Sequence, residues 1–314
     1  MIKESLFYAK ILLFGEYGII EDSMGLSIPY NYYKGKLSFE NDADENTITQ
    51  SNGHLKTYAA HLRREMEKGD LQAKIDVDRL DADIAKGMHF NSDIPQGFGV
   101  GSSGALVAAI YNQYATNKIT PTDNSARKEI LELKGTLAQM ESYFHGKSSG
   151  MDPLICYLNI PILIKSKSDL DTVGLPSYNA EGKGAIFLLN TGNPGETQPL
   201  VNWFLEKLKQ DGFRNMMKEQ FVKYNDECIK SFLKGDYKPL FASLKKLSKL
   251  ALDNFTPMIP DLFHKLWQQG IETNAYYLKL CGSGGGGFIL GFTPDLNKAK
   301  KYLKEYELEI IHRF

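Results

Sequence analysis

Cysteine is scarce in this 314-residue chain: Cys156, Cys228 and Cys281 stand far apart and odd in number. That pattern argues against a disulfide framework and against a cysteine metal site, and it fits a reducing cytoplasm. An excess of one charge is also lacking. Lys and Arg total 37 against 38 Asp and Glu, a formal net charge of −1, so no global field favours nucleic acid or a membrane surface as partner. Long apolar runs are missing too. The longest, such as residues 160–164, fall far short of the ~20 residues that span a bilayer. Residues 1–10 have mixed charge and no apolar core, so no signal peptide is expected there. What remains is an ordinary globular composition, 42% apolar and 24% charged, in a chain longer than one core usually serves. Two domains are therefore expected.

The richest stretch is residues 93–109, Asp-Ile-Pro-Gln-Gly-Phe-Gly-Val-Gly-Ser-Ser-Gly-Ala-Leu-Val-Ala-Ala. Gly97, Gly99 and Gly101 alternate, which lets a backbone turn tightly and leaves no Cβ between its amides and a ligand. A small-residue helix is expected from Ala105 to Tyr114, and its opening amides and dipole add to an anion site. Ser102 and Ser103 are placed to cap that helix and to reach a phosphate or its metal. The competing reading is a glycine turn with serine caps and no ligand.

Around this stretch the chain alternates strands and helices. Residues 6–14 read as a buried strand interrupted by Lys10, which needs an anion if it is buried and solvent if it is not. Residues 19–20 and 26–28 read as extended, followed by an aromatic cluster of Tyr30, Tyr32 and Tyr33 that suits strand packing. Turns are expected at 41–45 and 120–123, helices at 58–68 and 125–144, and strands at 74–77 and 87–92. Two further strands, 155–157 and 160–165, come before a polar stretch at 166–184. A division near it gives domains of 1–180 and 181–314. The second half reads as a strand at 185–190, helices at 200–210, 213–234, 240–252 and 261–269, and strands at 275–280, 288–292 and 309–314. A helix at 296–306 precedes the last strand. Along 213–234 the stripe Phe213, Met217, Phe221, Tyr224, Cys228 and Phe232 reads as core. The whole suits an α+β fold.

Three known phosphate patterns fail. Gly146-Lys147-Ser148 ends like a P-loop, but the earlier glycine position holds Glu141. The segment 99–104 satisfies G-x-G-x-x-G, yet the place of the acidic strand end ~20 residues on is a polar turn between helices. The protein-kinase catalytic-loop signature is absent from the chain.

The remaining pattern, Pro-x-Gly-x-Gly-x-Gly-Ser-Ser at 95–103, resembles the phosphate loop of the GHMP kinase family. Three other segments match in family order. Lys10-Ile-Leu-Leu-Phe-Gly15-Glu16 resembles the N-terminal Lys-x-x-Leu-x-Gly-Glu motif. Glu141 to Asp152 resembles the Glu-x-x-x-His-Gly-x-x-Ser-Gly-x-Asp of its mevalonate kinases, and 280–288 resembles the C-terminal glycine motif. The resemblance implies an N-terminal domain like ribosomal protein S5 domain 2 and a ferredoxin-like C-terminal domain. It also implies ATP-dependent phosphorylation of a small-molecule alcohol, most closely the 5-hydroxyl of mevalonate in isoprenoid synthesis. Phosphomevalonate, homoserine and sugar kinases, and a non-catalytic binding protein of the same fold, are the alternatives.

By the same resemblance Asp152 and Lys10 are the catalytic pair, with Lys10 beside Asp152 keeping it ionised. Asp152 acts as base or only orients the hydroxyl. ATP would rest on Pro95, Gly97, Gly99, Gly101, Ser102, Ser103 and Gly104. Ser102, with Ser103 close behind, and Glu141 would hold Mg²⁺, for which a hydroxyl and a carboxylate are suitable hard ligands. Glu16, Tyr17, Thr197, Gly284 and Gly285 fall on the acceptor side, with Glu16 near the acceptor or holding Lys10. His145 is a helix-end cation, a packed imidazole or a ligand contact. Three positions depart from the family pattern. Tyr17 replaces histidine, Gly104 replaces alanine, and Ser148 replaces proline and is expected to loosen its turn. A cytoplasmic enzyme with no nucleic-acid or membrane partner is expected, and a homodimer is allowed.

Overall fold

The structure, a computed structural model, describes residues 5–39, 45–120, 126–166 and 168–314. The turns expected at 41–45 and 120–123 fall largely outside the described residues, and the His145 side chain is not among those described. By contact the chain forms two compact units. The first holds Met1–Lys10, Pro29–Pro95 and Gly101–Ile160; the second holds Ile11–Ile28, Gln96–Val100 and Pro161–Phe314.

Strands β1 (Phe7–Phe14) and β2 (Gly25–Ser38) each contribute residues to both units. In the first unit they are followed by helices α1 (Glu45–Lys68) and α2 (Val77–Ala85), then β3 (His89–Ser92). Helices α3 (Ser102–Tyr114), α4 (Ala126–His145) and α5 (Met151–Leu158) complete it. The C-terminal half of β2 pairs antiparallel with β3, Gly35 opposite Ser92 and Ser38 opposite His89. Tyr58, Leu62, Tyr111, Tyr114, Leu133 and Leu137 are buried in this unit. The tyrosines at 30, 32 and 33 pack on one another, with ring centroids 4.9–6.0 Å apart.

One segment expected as a strand is helical here, and another runs into a helix at its last residue. Residues 155–157 lie in α5, whose N-cap is Gly150 at φ 73° and whose Pro153 sits in the first turn, where a missing N–H is harmless. Val77 opens α2, because the Asp76 carboxylate accepts from the Arg79 amide at 3.1 Å and caps the helix. Before it, the 74–77 stretch makes only an isolated bridge, Ile75 opposite Ala115.

In the second unit the chain after β1 enters a 3-10 turn, Gly18–Glu21, where residues 19–20 were expected to be extended. The N-terminal half of β2 pairs antiparallel with β4 (Ile162–Ser166), Gly25 opposite Ile164, and β4 pairs with β5 (Asp169–Thr172). The first sheet thus runs β1-β2-β4-β5, with β3 on β2. Then come β6 (Ala185–Asn190) and helices α6 (Thr197–Lys207), α7 (Asp211–Met216), α8 (Val222–Leu233), α9 (Tyr237–Asn254) and α10 (Asp261–Thr273). Strands β7 (Tyr277–Leu280) and β8 (Phe288–Thr293), helix α11 (Leu296–Tyr302) and strand β9 (Leu308–Arg313) close the chain. The single helix expected over 213–234 is split by a π-helical segment, Met217–Phe221, between α7 and α8. Its apolar stripe is nonetheless core: Met217, Phe221, Cys228 and Phe232 are all buried.

These last four strands form an antiparallel sheet in the order β7-β8-β6-β9. A strand, helices, two strands, a helix and a strand in that order make a ferredoxin-like unit, as expected for the C-terminal half. Phe187, Leu188, Phe232, Trp267, Leu290 and Phe292 are fully enclosed there.

Candidate active site

Residues 93–101 form an irregular loop between β3 and α3, with Gly97, Gly99 and Gly101 at φ 78°, 77° and 85°. Gly101 is itself the N-cap of α3, so Ser102 and Ser103 open the helix rather than cap it. The expected serine caps are therefore not made: a capping side chain belongs to a residue outside the helix, and these two lie inside it. The opening amides of α3 have no partner within the helix and suit an anion.

The first unit gathers the charged groups beside that helix end. Lys10 Nζ lies 2.9 Å from Asp152 Oδ1; the lysine side chain is 5% exposed and the aspartate 39%. Asp152 occupies the first turn of α5, where the helix dipole favours a carboxylate. The close approach of α3 and α5 accounts for Gly104. A Cβ there would lie 2.8 Å from the Asp152 carbonyl carbon and from the Pro153 nitrogen. Alanine at 104 would push against the backbone that carries Asp152.

Glu141, buried on α4, accepts a hydrogen bond from Ser103 Oγ at 3.2 Å and another from Ser148 Oγ. It is Ser103 that the structure brings to Glu141. Ser148 corrects an expectation: its hydroxyl also accepts from the Gly150 amide at 2.9 Å, so it fastens the turn into α5 instead of loosening it. A serine two residues before a glycine is a recognisable turn signal that the sequence reading underused. Burial, and secondarily the Asp152 charge, push the Glu141 carboxyl up to about 7. Two carboxylates and a hydroxyl beside a helix N-terminus fit Mg²⁺, which binds through one or two carboxylates plus substrate phosphates. No cluster of three His, Cys, Asp or Glu residues able to hold a metal unaided occurs among the described residues.

The second unit collects the residues expected on the acceptor side. Tyr17 donates its hydroxyl to the Ser283 carbonyl at 2.8 Å, and Ser283 Oγ lies 3.2 Å from Thr197 Oγ1. Gly284 and Gly285 follow at φ 80° and 77°, and the Gly285 amide donates to the Met258 carbonyl at 2.6 Å. Glu16 is paired with Lys279, Oε2 to Nζ at 2.5 Å, with both side chains at most 7% exposed. Lys279 also donates to the Leu280 carbonyl at 3.1 Å. The sequence reading missed Lys279, although a lysine between Leu278 and Leu280 in an apolar strand is the same signal that singled out Lys10. The 96–100 part of the phosphate loop packs on backbone in this unit: a Cβ on Gly99 would lie 2.6 Å from the Cys281 carbonyl oxygen. The Gly195 amide donates to the Gly97 carbonyl at 2.9 Å.

A glycine loop running into a helix, joined to a ferredoxin-like α+β unit, sets the fold class, and sequence comparison specifies the family. The GHMP kinases N terminal domain matches residues 55–159 and the GHMP kinases C terminal domain matches 228–307, more than half of the chain between them. The chain belongs to the GHMP kinases, a family of phosphotransferases generally acting on alcohols. Similar solved structures include L. major mevalonate kinase in complex with R-mevalonate, 16% identical with a TM-score of 0.66, covering 100% of this chain and 97% of that one. Streptococcus pneumoniae phosphomevalonate kinase in complex with phosphomevalonate and AMPPNP is 14% identical, TM-score 0.60, covering 99% of each chain. Lactococcus lactis galactokinase complexed with galactose is 14% identical, TM-score 0.64, covering 99% of this chain and 94% of that one. No curated protein matches by sequence. Among the described residues no helix is long and apolar enough to cross a membrane.

Two predictions follow from these charges. The Glu16–Lys279 pair is almost dry, so removing one partner strands the other. Glu16→Gln or Lys279→Met alone is expected to lower stability by ~3 kcal/mol, and the double variant to recover most of that loss in urea unfolding. Simple additivity would refute the pairing. Glu141 holds its proton more tightly when folded than unfolded, so its stabilising effect is present at low pH and lost as pH rises through about 7. In metal-free protein, Glu141→Gln should therefore gain about 2 kcal/mol on its parent between roughly pH 5.5 and pH 8. A constant difference across that range would contradict the shift.

Proposed function

We propose that this chain transfers the γ-phosphoryl group of ATP to a hydroxyl of a small-molecule alcohol, and that mevalonate, at its 5-hydroxyl, is the acceptor. The observation that carries the reading is the Lys10–Asp152 pair at 2.9 Å, set at the N-terminal turn of α5 with Glu141 on the neighbouring α4. Phosphoryl transfer needs little covalent help from protein; it needs charge neutralisation and a positioned nucleophile, and this set supplies both. The amides of 97–104 cradle the phosphates. Asp152 orients the acceptor hydroxyl and takes its proton as the new P–O bond forms and the bond to the β-phosphate oxygen breaks. Lys10, 2.9 Å from Asp152, fixes that carboxylate in place and faces the charge that moves onto the transferred group. Glu141 and a serine hydroxyl of the first turn of α3 would hold Mg²⁺, which would supply neutralisation of phosphate charge.

Mevalonate is favoured by the Glu141–Asp152 spacing and by the resemblance of that segment to mevalonate kinases. Purified protein with ATP and Mg²⁺ is expected to release ADP with mevalonate faster than with phosphomevalonate, homoserine or galactose. Turnover confined to one of the other three would replace mevalonate as acceptor and leave the kinase reading standing. Asp152→Asn should cut turnover by ~10²–10⁴-fold while AMPPNP affinity, measured by calorimetry, stays within a few-fold. Undiminished turnover would remove Asp152 from the mechanism.

A further inference from the structure

Tyr17 is the one bulky side chain at positive φ among the described residues. It sits at φ 59° and ψ −34°, and the Gly18 amide donates to the Glu16 carbonyl at 2.6 Å. This is a γ-turn of the rare positive-φ kind, centred on an aromatic residue that disfavours it. Such a conformation persists only when its surroundings over-determine it, and it marks functional segments more often than others. Here the surroundings are explicit. The ring is 7% exposed and lies 4.5 Å from the Phe204 ring and 6.0 Å from the Phe255 ring, centroid to centroid. At the end of that stack the hydroxyl reaches Ser283 in the C-terminal glycine loop.

That loop has little else to shape it. Positions 284–287 are all glycine at positive φ, with no side chain to pack. It is held by backbone bonds: Gly285 N–H to the Met258 carbonyl and Gly287 N–H to the Asn193 carbonyl, both at 2.6 Å. Where it returns toward β8 it touches the phosphate loop directly, since a Cβ on Gly287 would lie 2.5 Å from the Phe98 Cα. The Tyr17 hydroxyl anchors the Ser283 carbonyl at its tip, Ser283 Oγ meets Thr197 Oγ1 at 3.2 Å beside it, and Thr191 Oγ1 donates to the Gly287 carbonyl at 2.7 Å at its far end; Glu16, the residue before Tyr17, ties down Lys279 just ahead of the loop.

We propose that Tyr17 is a positioning residue: its hydroxyl pins the tip of the glycine loop at Ser283 and so holds the loop's return strand against residues 97–99 of the phosphate loop. It acts through a hydrogen bond it donates to the protein, so that proton is not offered to an acceptor molecule. The catalytic consequence rests on the kinase reading above; the structural one does not. A loop displaced by even ~1 Å lowers turnover by orders of magnitude where groups must be aligned, so the effect is readable in rate as well as in dynamics.

The test compares Tyr17→Phe, which keeps the ring and loses the donor, with 4-aminophenylalanine at position 17, which restores a donor. Amide hydrogen exchange of the 281–288 segment is expected to quicken about tenfold in Tyr17→Phe and to return with the amino analogue, while segments of α3 and α4 exchange as in the parent. Unchanged exchange in 281–288 overturns the proposal, as does quickening spread evenly over the chain. In the ADP-release assay kcat/KM for ATP should fall at least about tenfold in Tyr17→Phe and be rescued by the amino analogue. Full activity in Tyr17→Phe with a loosened loop would overturn the catalytic part. A parent protein without any turnover would defeat the kinase reading and leave the exchange result to decide the anchor.

Discussion

An ammonium group taken out of water demands an anion, and this fold makes that demand twice. Lys10 is buried on β1 in the first unit and answered by Asp152; Lys279 is buried on β7 in the second and answered by Glu16. The two pairs differ in one decisive respect. Asp152 keeps over a third of its side chain exposed, so it can meet a ligand, whereas Glu16 is as enclosed as its lysine. A pair with one open member has chemistry to offer. A fully enclosed pair is weak as a source of stability and strong as a fixer of geometry, because breaking either half leaves a stranded charge. The enclosed pair fits an organising role for Glu16, which the sequence motif placed near the acceptor or holding Lys10 and which the structure pairs with Lys279.

The elements around the first pair are built to keep it. Gly104 admits the α5 backbone where a methyl group would strike it, and Cys156 Sγ, buried on α5, lies 3.8 Å from the Gly101 carbonyl. Burial pushes the Cys156 thiol well up, so it packs and does not react. Glu141 is likewise fixed from two sides by Ser103 and Ser148, and one residue earlier on α4 the Met140 carbonyl accepts from the Tyr58 hydroxyl at 3.1 Å. A carboxylate held this firmly with its charge disfavoured is poised to gain from a cation, since a metal removes the repulsion that Asp152 imposes.

Much of this was legible from residues alone, and what was not has physical causes. The glycine loop, the helix after it and the lysine in the first strand are local signals of large amplitude: positive φ, a polar residue in an apolar run, a stretch of small side chains. The sequence pattern erred where an apolar run was too short to show its period. Five apolar residues near 155 serve a strand or one helical turn equally well, and Gly150 with Pro153 decided for the helix. The partners of Glu16 and Tyr17 lay beyond reach for another reason. They are 263 and 266 residues away, and nothing in the spacing of either side reveals the other. Ser103 rather than Ser102 meeting Glu141 is similarly a matter of helix phase, fixed only once Gly101 is known to be the cap.

Tyr17 carries a backbone strain that its packing must offset. A bulky residue in so unfavourable a backbone state carries a penalty of ~1–3 kcal/mol, and a glycine there would carry almost none. The stacking on Phe204 and Phe255 returns ~0.5–1.5 kcal/mol per aromatic pair, and the hydroxyl bond a similar amount. These contributions are of the same size, so the tyrosine brings no evident net stability. What distinguishes it from a glycine is the position it imposes on Ser283. The glycine loop at 97–101 rests on backbone geometry that many sequences can satisfy, which agrees with a fold shared at 14% to 16% identity. The position of Ser283, by contrast, depends on a single side chain, and there one substitution at Tyr17 changes where the loop sits.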